Sequence, residues 1–396
     1  MNRIIHVIKQ VIVDKVLMNK YFITCPRGLE QVTANDINQY LEKKCKIDKG
    51  GVAFESSQDA MYRINLYSRT GMYVLKELCS FNASNDKTLY KICKNFKWSK
   101  LIDVNQTFSL KSKINSSLFK NSNFTTLKIK DAIVDSIKNE LGDRPSIDKH
   151  NPDVRIFIMI NHSKVKLYLD TTGKPLFRRG YRTKIHKAAL NETMAAGLVL
   201  LSDWNKKDDF YDIMCGSGTI AIEAALIAYN IPPGILRDFY AFQKFSDYNP
   251  TLWKSILEEA KKNINFDNPV QINGSDLIKK NIHLALDSIG KLNLEDKIRF
   301  SVKDFNDFSP RNKKGTIIIN PPYGERIGEQ FNLNQLYKKL GDKFKTDCAG
   351  HDVFVFTGNL SLIKKIGLRS KRKIILKNGT IDCRLVYYPI QSGSFQ

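Results

Sequence analysis

From residue 20 onward the chain alternates short β-branched or aromatic runs with stretches of helical spacing. Tyr21-Phe22-Ile23-Thr24 reads as a strand, Pro26-Arg27-Gly28 as a turn, and 29–41 as a helix with apolar residues at 29, 32, 37 and 41. Gly50-Gly51 turns into the strand Val52-Ala53-Phe54, and a helix over 57–66 completes a β-α-β-α unit too small to hold much core alone. A helix over 127–141 sets apolar residues at 129, 133, 134, 137 and 141, and strands over 154–160 and 165–170 meet at Asn161-His162-Ser163 as a hairpin. Beyond the alanine- and leucine-rich helix over 190–204, strands near 210–212, 272–276, 298–304, 316–319 and 353–356 alternate with helices. The runs 374–376 and 385–388 then pair around Asn378-Gly379. Such alternation predicts a seven-stranded, mostly parallel sheet with helices on both faces, closed by an antiparallel hairpin.

Charge adds a partner to this picture. Lys and Arg outnumber Asp and Glu 63 to 40, a net +23 spread along the chain, which fits a polyanionic partner or simply a lysine-rich composition. Residues 86–150 carry thirteen basic against seven acidic residues, interleaved with Phe96, Trp98, Phe108, Phe119 and Phe124. That mixture suits an RNA-binding module, and equally a solvated lysine face. Residues 364–377 hold seven basic residues and no acid, a second RNA-facing patch or a charged edge strand guarded against aggregation. The aromatic stretch 231–268 is read as a packed surface subdomain in preference to a cleft lining. Seven scattered cysteines without a CxxC or Cys/His cluster read as reduced thiols of a cytoplasmic protein with no disulfide framework and no metal site. No apolar run approaches the ~18 residues of a membrane span, and 1–17 read as an extension too interrupted for a signal peptide.

Two stretches carry the chemistry. Phe210-Tyr211-Asp212-Ile213-Met214-Cys215-Gly216-Ser217-Gly218-Thr219 is strand, glycine-rich turn and helix start, the geometry of nucleotide-type cofactor binding. No lysine follows Gly218, which removes a triphosphate loop, and only the first half of GxGxxG is present, which removes the dinucleotide fingerprint. Asp276 and Asp304 follow at predicted strand ends, as ligands of the same cofactor or as surface acids. Cys215 is a small loop residue, since no nearby base would activate it as a nucleophile. The second stretch, Ile317-Ile318-Ile319-Asn320-Pro321-Pro322-Tyr323, is a buried strand delivering a rigid turn to its carboxyl end. Its prolines lack N–H groups, so the turn offers acceptors beside an aromatic ring, a receptor for an amino group on a flat heterocycle.

These strings resemble known families. Asp212 with MCGSGT and the following helix resembles motif I of class I S-adenosylmethionine-dependent methyltransferases. Asn320-Pro321-Pro322-Tyr323 resembles the motif of methyltransferases acting on exocyclic amino nitrogens of adenine, cytosine or guanine. The resemblance implies S-adenosylmethionine as cofactor, held by Asp212, Cys215, Gly216, Ser217, Gly218, Asp276 and Asp304, and catalysis by Asn320, Pro321, Pro322 and Tyr323 without a metal. Ile213 stands where many relatives have proline, which slightly loosens the turn. Asn151-Pro152-Asp153-Val154, the strand pair, and 170–182 with Arg179-Gly180-Tyr181-Arg182 resemble the end of a THUMP domain, an RNA-binding module, preceded by its usual ferredoxin-like companion. Lys111, Lys113, Arg178 and Arg179 are the candidate phosphate ligands. The expected layout is an extension over 1–17, a ferredoxin-like domain over 18–66, a THUMP domain over 67–171, a linker over 172–189 and an α/β class I (Rossmann-like) methyltransferase domain over 190–392. Over nearly the whole chain it is similar to the guanine-N2 half of bacterial 23S rRNA methyltransferases, with MCGSGT and Asn320-Pro321-Pro322-Tyr323-Gly324-Glu325-Arg326 among the strings that carry the likeness. The resemblance implies structured RNA, 23S rRNA or a partly assembled large ribosomal subunit, as partner. With the sequence ending at Gln396, it also implies one activity in place of the two that some members carry. A tRNA guanine-N2 enzyme, a DNA amino-methyltransferase and a non-catalytic RNA-binding factor are the alternatives.

Overall fold

A computed structural model describes residues 18–182, 190–324 and 330–391; the 1–17 extension, most of the expected linker's second half and Glu325-Arg326 lie outside the described residues. The amino-terminal half is one eight-stranded mixed sheet. Its strands are β1 (Asn19–Thr24), β2 (Lys46–Asp48), β3 (Gly51–Ser56), β4 (Tyr73–Asn82), β5 (Thr107–Asn115), β6 (Ser146–Ile147), β7 (Val154–Asn161) and β8 (Lys164–Asp170), in the order β2-β3-β1-β4-β8-β7-β5-β6. β4 is the seam. It pairs antiparallel with β1 through Tyr73 to Lys76 and with β8 through Leu75 to Asn82, with a bulge between Glu77 and Cys79. The break anticipated after residue 66 therefore does not divide the sheet, and the ferredoxin-like and THUMP regions share one continuous hydrogen-bonded layer.

Local chemistry explains the elements. The helix Ser122–Leu141 starts earlier than its apolar spacing indicated because the Asn121 side chain accepts from the Phe124 N–H, and Gly142 at φ +84° ends it. His162, at φ 53°, makes the tight turn between β7 and β8.

The carboxyl-terminal half holds a seven-stranded sheet of β9 (Asp209–Asp212), β10 (Ile272–Asp276), β11 (Ile298–Val302), β12 (Gly315–Ile319), β13 (His351–Thr357), β14 (Arg372–Asn378) and β15 (Ile381–Pro389). Its order is β11-β10-β9-β12-β13-β15-β14; the first five strands run parallel, β15 antiparallel to β13, and β14 antiparallel to β15. Strand order reverses between β9 and β12, and at such a switch point the two following loops part and leave a crevice. Both chemistry-bearing stretches follow these two strands.

The 231–268 stretch is packed, but against another region and not as a subdomain of its own. Tyr240, Phe242 and Trp253 are buried together with Ile23, Met61 and Tyr62, and the Tyr62 and Phe242 rings lie 4.4 Å apart, so the stretch shares a core with the ferredoxin-like region. Arg63 adds two 2.8 Å hydrogen bonds to the Glu259 carboxylate across the same junction.

Candidate active site

β9 is buried along its whole length, and the chain leaves it through the glycine turn into the helix Thr219–Ala228. The Cys215 N–H donates to the Ser275 carbonyl on β10 at 2.9 Å, and the Gly216 N–H donates to Asp276 Oδ2 at 2.8 Å. The two glycines have different reasons to be glycine. Both have positive φ, +54° and +78°, but a Cβ on Gly216 would meet open space, whereas one on Gly218 would lie 2.6 Å from the Phe300 ring and 2.9 Å from Ala285. Gly216 bares backbone to the crevice; Gly218 lets the turn close onto β11 and the helix Lys279–Gly290.

Five loops enclose a cavity of about 1090 Å³ lined by Asp212, the glycine turn, Asp276 to Ile278, Lys303 to Asn306, Asn320 to Gly324, and Asn378 with Ile381. Asp212 lies in its wall, 1 % exposed, and neither carboxyl oxygen has a hydrogen-bond partner among the described residues. Burial raises its pKa well above the ordinary carboxylate value and the Asp276 charge adds to this, while the Met214 amide, facing it without closing a hydrogen bond, opposes it. Such a carboxyl is costly unless a ligand donates to it.

Asp276 is already held by donors of the chain itself. It accepts from the Gly216 N–H, from the Ile278 N–H at 2.9 Å and from Asn281 Nδ2 at 3.0 Å, so it braces the glycine turn and keeps room for about one further donor. Asp304 sits two residues beyond the end of β11, where Oδ1 accepts from the backbone and side chain of Asn306, both at 2.8 Å. Cys215 is 8 % exposed; burial and the neighbouring Asp212 and Asp276 push its thiol well up, which keeps it protonated and unreactive.

The opposite wall belongs to β12. Pairing of Ile317 with Tyr211 sets Asn320 beyond the level of Asp212 by two residues, about 7 Å at strand rise. Asn320 Oδ1 is buried and has no partner among the described residues. Pro321 is buried, Pro322 exposed, and Tyr323 half-buried with its ring against Gly358, where a Cβ would stand 2.8 Å from the ring. Burial raises the Tyr323 pKa, and hydrogen bonding to Asn378 offsets part of the rise. The wall also contains Asn378 and Ile381 from the β14–β15 turn. Spacing announced that turn without announcing that it folds over the cavity. Ile278 and Leu277, both exposed, form an apolar lip that sequence patterning also missed.

Residues 179–387 match the family model described as RMKL-like, methyltransferase domain; 83–170 match the THUMP domain and 20–75 the RlmL ferredoxin-like domain. The chain belongs to the RMKL-like methyltransferase family. It is 35 % identical over 370 residues, 93 % of this chain and 96 % of the relative, to a Synechocystis protein provisionally named RNA methyltransferase slr0064. It is 33 % identical to the ribosomal RNA large subunit methyltransferase K/L of Syntrophotalea carbinolica over 95 % of this chain and 54 % of that one. The chain thus spans about half the length of the K/L enzymes it matches. Among solved structures, SMU.472, provisionally a methyltransferase and complexed with SAH, superposes with TM-score 0.85 at 27 % identity over 95 % of this chain and 99 % of that one. A Listeria monocytogenes protein provisionally named an N6-adenine-specific DNA methylase gives the same TM-score at 28 % identity over 94 % and 97 %.

The family's cofactor is S-adenosylmethionine. The cavity fits it on this chain's own chemistry: the unpartnered Asp212 carboxyl, the bare backbone of Gly216 and the exposed apolar lip at 277 and 278 are complementary to a ligand carrying donors and a flat heterocycle.

The four RNA candidates separate. Lys111 and Lys113 are exposed on one face of β5, and Lys111 lines a second cleft of about 390 Å³ with its Nζ 4.6 Å from the Tyr73 ring centre. Arg178 is exposed. Arg179 is not a phosphate ligand in this fold. It is 2 % exposed, donates to the Leu176 carbonyl at 3.0 Å and the Ser68 carbonyl at 3.3 Å, and pairs with buried Glu223 at 3.4 Å, so its guanidinium is consumed in joining the two halves. Arg182 behaves similarly, pairing with Glu192 at 3.4 Å and donating to Thr219 Oγ1 at the start of the glycine-turn helix.

Proposed function

We propose that this chain transfers a methyl group from S-adenosylmethionine to the exocyclic N2 amino group of a guanine in 23S rRNA, in the cytoplasm, on free RNA or a partly assembled large ribosomal subunit. The observation that carries the reading is Asn320 Oδ1, a buried acceptor without a partner at the carboxyl end of β12, across the switch-point crevice from Asp212. S-adenosylmethionine, when bound, supplies an electrophilic methyl group. The chain's own residues prepare the nucleophile. An exocyclic amine is weak because its lone pair is delocalised into the ring. Accepting one N–H at Asn320 Oδ1 and the other at the Pro321 carbonyl returns that lone pair to nitrogen and orients it. Tyr323, backed by Gly358, offers its ring to a base turned out of its stack. RNA as substrate is supported by the THUMP match, and large-subunit ribosomal RNA by the similarity to the K/L enzymes over 95 % of the chain, while guanine N2 is what the resemblance of the sequence strings implies.

The test is methyl transfer by purified protein to protein-free rRNA, tRNA and DNA, with nucleoside mass spectrometry of the product. N2-methylguanosine in rRNA is expected. Asn320→Ala should lower the rate at least ~100-fold, as loss of a positioned polar group does, while RNA and cofactor affinities are kept. Methylation of tRNA, of DNA adenine, or full activity in the variant would each overturn the corresponding part.

A further inference from the structure

We infer that the RNA backbone reaches the catalytic cavity across the ferredoxin-like region, on a track formed by Lys111, Lys113, Arg27 and Lys377. The inference rests on the reading above that RNA is the substrate, and adds the route. Successive members lie close to one another, and the last two are joined by a hydrogen bond. Lys111 lines the 390 Å³ cleft between β5 and the helix Ser122–Leu141, beside Tyr73, Lys130 and Phe157. Lys113, two residues along the same strand and on the same face, brings Nζ to 3.5 Å from the Cβ position of Gly50, and the Arg27 side chain lies equally near that point. The Arg27 carbonyl in turn accepts the Lys377 N–H at 2.9 Å, and Lys377 adjoins Asn378, a wall residue of the cavity. Along the edge strand β14, Lys373 and Ile375 share the face of Lys377, and Ile375 is 66 % exposed.

The joint beneath the track is built to hold. Glu30 accepts the Gly28 N–H at 2.7 Å and the Gly50 N–H at 3.0 Å, tying the two turns together. Gly28, at φ +94°, lies so close to β14 that a Cβ would stand 2.3 Å from the Ile375 carbonyl oxygen. The ferredoxin-like turn is thereby clamped to the methyltransferase sheet, and the basic groups keep a constant relation to Asn320. Arg27 has Glu30 at 3.3 Å, a carboxylate already accepting the two turn amides, and Lys377 has Asp382 at 3.7 Å, an exposed pair of the kind that contributes little and exchanges readily for phosphate. Phosphates of an RNA strand, regularly spaced and singly charged, suit a line of cations on a rigid edge.

The experiment measures binding of protein-free large-subunit rRNA across a salt series by full-length wild type, Lys113→Glu and Arg27→Glu. Lys207→Glu and Lys314→Glu, at the amino ends of β9 and β12 away from the cavity, serve as controls. Loss of one phosphate contact should weaken binding roughly five- to eightfold at 0.1 M salt and flatten the log–log salt slope by about 0.7–0.9. S-adenosylmethionine affinity should stay unchanged, and Arg27→Gln substitutes if the reversal unfolds the turn. Track variants that bind like the controls, with wild type still methylating RNA, would overturn the route and leave the function standing. Wild type that neither binds nor methylates RNA would overturn both.

Discussion

Replacing Asp170 with asparagine should stabilise the protein at neutral pH and progressively less as the pH falls toward 4. Asp170 ends β8 with 3 % of its surface exposed, and its Oδ1 accepts the Thr172 N–H at 2.8 Å and the Gly173 N–H at 3.2 Å. Burial raises its pKa from 3.8 to about 6, against the opposing pull of those two amides, Arg155 and Lys111. The folded state thus binds this proton more tightly than the unfolded chain does. Stability from this group is complete below the unfolded value and declines as pH rises between about 4 and 6, by roughly 1.4 kcal/mol per unit. Above that window the penalty is constant at about 3 kcal/mol, an upper estimate. Asparagine keeps an oxygen for both amides and carries no charge to desolvate. Thermal unfolding should therefore show a rise of up to roughly 6–12 °C at pH 7.5, taking about 2–4 °C per kcal/mol, and only about a third of that at pH 4.5. Asp170→Ala, which abandons both amides, should fall below asparagine at either pH. An equal shift at the two pH values, or a drop at pH 7.5, would refute the argument.

The two glycines of the turn should respond differently. Gly218→Ala meets both left-handed strain and the Phe300 ring and should lower stability by about 2–4 kcal/mol in denaturant unfolding. Gly216→Ala costs only the strain, about 1 kcal/mol, but intrudes on the cavity and should weaken S-adenosylmethionine roughly tenfold by calorimetry. Arg179→Ala leaves Glu223 buried and unpaired and should destabilise by about 3–5 kcal/mol, with RNA affinity per folded molecule unchanged.

What was legible in the sequence follows from the range of the forces involved. Strand and helix periods are local, so the parallel sheet, its closing hairpin and the position of the glycine turn could be read from neighbours three or four residues apart. The place of Asn320 at the end of a buried strand was legible for the same reason, because a β-branched run ending in two prolines has few other ways to fold. Arg179 shows where local reading stops. Beside Arg178, in a basic run, it carries the same charge and spacing as a phosphate ligand, and only the arrival of Glu223 44 residues later, with carbonyls from the ferredoxin-like region, turns it inward. β4 shows the same limit for domains, since a strand that pairs with β1 on one side and β8 on the other cannot be assigned to either by its own sequence. The track to the cavity is the extreme case. Arg27, Lys113 and Lys377 come from three distant segments, each unremarkable among 63 basic residues, and acquire meaning only because Gly28 packs its backbone onto β14. Charge alone fits a polyanion or a solvated lysine-rich surface, and where a polyanion would lie depends on contacts between residues far apart in the chain.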